Sequence, residues 1–198
     1  MKKMILSAVM LVFAASGRAQ EAGAASPTEH NEWLTTFEAV AVDADLDIKF
    51  VKVPDTEAPK IVYDTKGSYT SKFRAEVKDK TLRISERPDS RRPDRTEVTV
   101  YYNTLQSVSL SGAAAVFEGT VDAVQLDLTL GRKASLTAAF DVKDLRMELT
   151  GGSSATLTGK ASYLTLFAST GRVAASGLEE LFMYELGGSG YDVKKLML

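Results

Sequence analysis

Between Leu105 and Val193 five segments can be laid over one another: LQSVSLSGAAAVFEG (105–119), VQLDLTLGRKASLTA (124–138), LRMELTGGSSATLTG (145–159), LTLFASTGRVAASG (164–177) and LFMYELGGSGYDV (181–193). Each opens on an alternating apolar strand, turns at a glycine and enters a second short strand. The turning glycines are Gly112, Gly131, Gly151 and Gly171, then Gly187 or Gly188, at separations of 19, 20 and 20, then 16 or 17 residues. A period near twenty made only of strands and turns signals a β-solenoid, in which each repeat is one coil and equivalent positions stack. The repeat therefore predicts an all-β chain whose residues 105–198 form a right-handed parallel β-helix with coils of about 20 residues, the hand following from the crossover rule.

Alternation assigns the inward columns. Val108 and Leu110, then Leu126, Leu128 and Leu130, then Met147 and Leu149, then Leu164 and Leu166, then Phe182, Tyr184 and Leu186 are expected to stack in the core. Each buried side chain of this kind contributes about 1.5–3 kcal/mol, enough in sum to support a narrow cross-section. Glycine at the corner permits positive φ, and the second copy, LTLGRKASL, departs from the Ser-Gly or Thr-Gly pattern, which points to a bulge or register shift there. All five prolines precede residue 94, whereas eleven of the fourteen glycines follow residue 111. A ladder that uses every N–H has no place for proline.

Residues 33–104 have a different grammar. Short alternating runs such as AVAVD, DLDIKFVKV, IVY, FRAEV, TLRIS and VTVYY are separated by turn residues, with Lys78-Asp79-Lys80 as a tight hairpin turn, Lys66-Gly67-Ser68 as another and ERPDSRRPDR (86–95) as a polar loop. This is a strand-rich N-terminal part of the same domain. Ahead of it, Lys2 and Lys3, an apolar run from Met4 to Ala15 and the small residues around Gly17-Arg18-Ala19 read as a secretory signal peptide over 1–19. Residues 20–32 read as a flexible leader, and His30 as a tail residue with no catalytic or metal partner.

Composition narrows the function. Of 198 residues, 44% are apolar and 25% charged, none is cysteine, and the formal charge is −2, so a phosphate-binding basic excess and a disulfide scaffold are both excluded. Removing Lys2, Lys3 and Arg18 from the 24 basic residues leaves 21 against 26 acidic ones, a mature charge of −5. No nucleic acid, cofactor, metal or integral membrane span is expected.

FEAVAVDADLDIKFVKV, the VKDKTLRISE hairpin and the repeated SLSGAAAVFEG, ELTGGSSATLTG and STGRVAASG give the sequence its resemblance to a known family. It resembles the auto-transporter adhesin head domain, also called the head GIN domain, common in secreted proteins of Bacteroidetes. The resemblance covers residues 33–198 as a single domain and implies an exported right-handed parallel β-helix with an adhesion role and no established ligand.

If the columns above face inward, an exposed column reads Ser109, Asp127, Glu148, Phe167 and Glu185, beside Ser107, Gln125, Arg146, Thr165 and Met183. Asp127 and Glu148 would then lie on adjacent coils ~4.8 Å apart, close enough to share a proton or hold a hard cation. The competing reading is a solvated charged face, with Arg146 offsetting the repulsion. Exposed Phe167 and Met183 would suit a docking surface, and Asp127, Glu148, Phe167, Glu185 and Arg146 are the candidate binding residues. Arg87, Arg91, Arg92 and Arg95 read as a solvated loop interleaved with acids. No Gly-x-Ser-x-Gly, phosphate loop or His-Glu-x-x-His motif is present, and no catalytic residue is assigned. The expectation is an exported noncatalytic binding protein, periplasmic, surface-bound or secreted, that contacts glycans or a cell-surface protein. A carbohydrate-active lyase or hydrolase and a structural envelope protein are the alternatives. Leu196 and Leu198 would cover the last coil while Lys194 and Lys195 oppose stacking, so a monomer or weak oligomer is expected.

Overall fold

The computed structural model describes residues 28–66, 72–88, 94–179 and 182–185. The expected signal peptide over 1–19, most of the expected leader, Arg91, Arg92 and the expected cap at Lys194 to Leu198 lie outside the described residues. The chain is all-β. Its strands are β1 (Glu29–Trp33), β2 (Ala39–Asp43), β3 (Leu46–Lys52), β4 (Lys60–Asp64), β5 (Phe73–Lys78), β6 (Thr81–Glu86), β7 (Thr96–Tyr102), β8 (Ser107–Ser111), β9 (Ala114–Gly131), β10 (Ser135–Leu149), β11 (Ser154–Ala168), β12 (Arg172–Glu179) and β13 (Phe182–Glu185). They form one mixed sheet. Among the described residues no helix is long and apolar enough to cross a membrane.

The repeats pair in parallel. Asp127 lies opposite Arg146, Arg146 opposite Thr165, and Thr165 opposite Tyr184, so each step is 19 residues. The same step stacks Leu126, Leu145 and Leu164, then Leu128, Met147 and Leu166, then Leu130, Leu149 and Ala168, all buried. The residues that the alternation assigns inward from Val108 to Leu166 are all buried, and Leu145 and Ala168 join their columns. The last copy is corrected by one position: Leu164 pairs with Met183 and Leu166 with Glu185, so Phe182 and Tyr184 fall in the outward rows of Tyr163 and Thr165. The side chains of β13 are outside the described residues.

The N-terminal strands enter the same ladders. Strand β2 pairs in parallel with both β8 and β6, and β3 pairs in parallel with both β9 and β7. Val40 sits opposite Val108 and Ile48 opposite Ala115, so residues distant in sequence make another layer of the stack. The division at 104/105 is thus a change of sequence grammar and not of sheet. Antiparallel strands finish this end: β5 on β6, and β4 then β1 on β7. Asp79 (φ 50) and Lys80 (φ 56) make the tight β5–β6 turn, whose two left-handed residues match the twist of a hairpin. Glu29–Trp33, placed largely in the leader by sequence, is an edge strand, because its backbone finds the open edge of β4.

The corners are less uniform than the glycine period implies. Gly112 (φ 87) and Gly151 (φ 60) are left-handed, but Gly131 and Gly171 are not, and Gly131 lies opposite Ser111 rather than Gly112. In the second copy Arg132 (φ 45) and Lys133 (φ 61) occupy the left-handed region themselves. The departure at LTLGRKASL is absorbed there, while the register shift falls later, between Thr137 and Ala139, opposite Gly119. Ser153 is buried and its hydroxyl donates to the Leu130 carbonyl at 3.0 Å, tying the turn before β11 to the end of β9.

Two substitutions test this account by urea midpoint. Gly159 has φ 94 and a Cβ there would run into the Phe140 backbone, so Gly159→Ala should cost about 3 kcal/mol or more. Lys133→Gly relieves a left-handed residue and should gain about 1 kcal/mol; equal midpoints for both would contradict the corner geometry.

Candidate functional site

The residues proposed from sequence lie on the outer face of β9, β10 and β11, but not in the expected column. Asp127 is half-buried with Ser107 and Arg146 as its neighbours across the strands. Glu148 is exposed between Thr129 and Phe167. The physical reason is the 19-residue step: adjacency of Asp127 and Glu148 needs an offset of 21, and the observed step, which turns no side chain over, leaves the carboxylates two residues apart along the strand. The face brings together Glu148 with Phe167 and Asp127 with Arg146, whose guanidinium also lies 3.8 Å from Asp144. It does not bring Asp127 and Glu148 together, so the shared-proton and cation readings of that pair lose their geometry. Phe167 is 40% exposed, whereas Met183 falls in the inward register and Glu185 opposite Leu166. Among the described residues no group of three His, Asp or Glu side chains could hold a metal.

A second face is more shaped. The outward residues of β1, β4, β7, β3 and the first part of β9 form three rows across five strands. One runs Glu29, Asp64, Glu97, Asp47, Ala114, and the next Asn31, Val62, Thr99, Lys49, Val116. A groove of about 570 Å³ lies over them. Val62, Ala114 and Val116 give it an apolar floor, and Glu29, Asp47, Asp64, Glu97 and Glu118 rim it. The third row, Trp33, Lys60, Tyr101, Val51, Glu118, borders a cleft of about 340 Å³.

Ion pairs hold the rim. Lys49 meets Glu118 at 3.0 Å, Lys66 meets Glu97 at 2.8 Å, and Arg95 meets Asp47 at 2.7 Å while donating to the Gly112 carbonyl. Arg95, read from sequence as part of a solvated loop, therefore pins that loop to two corners of the stack. The hydrogen bond to Glu97 holds the Lys66 ammonium above its ordinary pKa. The Thr28 hydroxyl donates to Asp64 at 2.7 Å and, with the Lys66 backbone N–H as a second donor, holds that carboxyl below the usual carboxylate range despite some desolvation. Beneath the rim, Tyr63 stacks on His30 and Phe73 and donates to Glu32 at 2.7 Å. Burial first, then that bond and charge, push the Tyr63 phenol up to about 12. His30 is thus a packed strand residue, not a free tail.

Sequence reasoning passed over this face because its rows join residues 27 to 67 positions apart through antiparallel and non-sequential pairings, as in Trp33 with Lys60 or Lys49 with Val116. One signal was available: Trp33, the single tryptophan, closes the otherwise polar run EHNEW.

One mixed all-β sheet with grooves on its outer face defines the class of fold. Residues 36–181 match the family described as "Putative auto-transporter adhesin, head GIN domain", and the chain belongs to that family. Among solved structures, a "putative adhesin" from Bacteroides fragilis superposes with a TM-score of 0.70 at 17% identity, covering 81% of this chain and 77% of that one. A "putative adhesin" from Parabacteroides distasonis gives 0.57 at 16% identity over 80% and 77% of the chains. One from Parabacteroides merdae gives 0.55 at 15% identity over 81% and 75%. No curated protein matches the chain.

The Asp64 carboxyl supplies a pH test. A carboxylate with a depressed folded pKa contributes stability above its unfolded pKa and loses it as pH falls through the folded value, so the β1–β4 edge should loosen only below the ordinary carboxylate range. Thr28→Val should move the Asp64 titration, followed by carboxyl carbon NMR, up toward 3.8; an unmoved titration would refute the hydroxyl's role.

Proposed function

We propose that this chain is an exported, noncatalytic recognition module of adhesin type that holds a ligand of a cell surface in the groove on the outer face of β4, β7, β3 and β9. The observation that carries this reading is the groove itself: an apolar floor, a charged rim fixed by ion pairs, and a backbone locked in ladders on both sides. Such a floor is preorganised, so binding spends little free energy on ordering the receptor. In this reading residues 1–19 direct export and are removed, residues 20–27 hold the module off the membrane, and the parallel ladders wind as a right-handed solenoid whose sequential connections follow the crossover rule. The work asked of the protein is holding, for which no cofactor is needed, and it acts as a monomer or weak oligomer at the envelope or outside it.

The test uses the mature chain, residues 20–198, in saturation binding to intact bacterial and host cells. Saturable binding is expected, weakened about ten-fold by Val116→Arg, which fills the groove from a position 50% exposed and so spares the core. Glu148→Gln, on the other face, should bind as the parent. Absence of saturable binding to any cell surface would overturn the reading.

A further inference from the structure

We infer that the cleft beside the groove is a saccharide subsite, in which a pyranose ring of an uncharged or amino-bearing glycan stacks on Trp33 and Tyr101. The inference rests on the recognition reading above and names its ligand class.

Trp33 is 69% exposed on an edge strand, where a large indole gains nothing from burial in the core. It is nonetheless held. The Leu34 N–H donates to the Pro59 carbonyl at 2.9 Å, closing the strand just beyond it. Lys60 stands in register between the two aromatics, its ammonium 5.5 Å from the Trp33 centroid and 4.6 Å from that of Tyr101. The cation fixes both rings without enclosing them. The opposite wall, the turn from Val53 to Ala58, is clipped by Asn103, whose side-chain amide donates to the Pro54 and Glu57 carbonyls at 2.8 and 3.0 Å. Two preset aromatic faces, an ammonium between them and a carboxylate at Glu57 across a 340 Å³ cleft make a place for a flat molecule with C–H faces and hydroxyl edges.

Charge selects among such molecules. The rows leading from the cleft into the groove carry Glu29, Asp47, Asp64, Glu97 and Glu118 against Lys49 and Lys60, while the flanking Lys66 and Arg95 are paired with Glu97 and with Asp45 and Asp47. This net negative path accepts hydrogen bonds from sugar hydroxyls or amines and repels uronates and sulfates. A protein partner is the less suited occupant, because the cleft lacks the deep apolar pocket that an interface anchor fills. The rows lie about 7 Å apart along the strands, so the aromatic cleft and the groove form one continuous track for an extended chain.

Trp33 is the sole tryptophan, so its fluorescence in the mature chain reports this site alone. Titration with cellohexaose, chitohexaose and the glucosamine hexamer should give a saturable emission change with at least one of them, and none with hexagalacturonate. Tyr101→Ala, which keeps the reporter, and Trp33→Ala, followed by calorimetry, should each weaken binding about ten-fold or more, while Phe167→Ala on the other face leaves it unchanged. Both aromatics are outside the core, and an unaltered urea midpoint verifies that the variants fold. Silence toward all three uncharged or amino-bearing probes, with cell binding still lost in Val116→Arg, would overturn the saccharide assignment and spare the groove. Affinity within about two-fold of the parent in both aromatic variants, or a preference for hexagalacturonate, would overturn the subsite.

Discussion

Every layer of this protein is held by the same constraint: an inward side chain must sit directly over its counterpart one step away while the backbone between them closes its hydrogen bonds to the neighbouring strand. Leu126 over Leu145 over Leu164, and Leu128 over Met147 over Leu166, satisfy both demands at once with a 19-residue step. Because parallel strands cannot slide by one residue without turning their apolar faces outward, this step fixes the register of the outward rows as well. Asp127 faces Arg146 for that reason, and the charge pattern of the outer face follows from the core beneath it.

The corners show how the step is kept when the sequence does not cooperate. Gly151 takes a left-handed conformation freely, and Arg132 and Lys133 take it at a cost in the preceding repeat. The stack tolerates that cost because the columns on either side of the corner, Leu130 with Leu149 and Leu136 with Ala155, are already buried. Surplus length is shed elsewhere, at Gly119 (φ 78), beside the register shift between β9 and β10.

The end of the stack is where the molecule becomes distinctive. Antiparallel β4 and β1 extend the outer face of β7 beyond the last parallel layer, carrying Trp33 and Lys60 alongside Tyr101 and the acidic residues alongside one another. Arg95 reaches from the loop before β7 to Asp47 and the Gly112 carbonyl, so the corner of one layer and the rim of the groove are braced by a single side chain. The grooved face therefore depends on the ladder that supports it: weakening the stack at β3 or β9 would move the floor and the rim together.

Alternation and a recurring spacing were enough to establish the all-β class, the parallel pairing of the repeats, the inward residues from Val108 to Leu166 and the hairpin at Asp79-Lys80, because each is a local periodicity written in consecutive residues. They also carried the family. What they could not specify was which residues meet across non-sequential strands. Laying Asp127 over Glu148 needs an offset of 21, and the packing of leucines enforced one of 19, two residues away, which separated the two carboxylates. Val40 with Val108, Lys49 with Glu118 and Trp33 with Lys60 and Tyr101 have no common spacing in the chain. Only the tertiary structure brings them together, since pairing at a sheet's free edges is decided by which backbone edge remains open after the repeats have stacked.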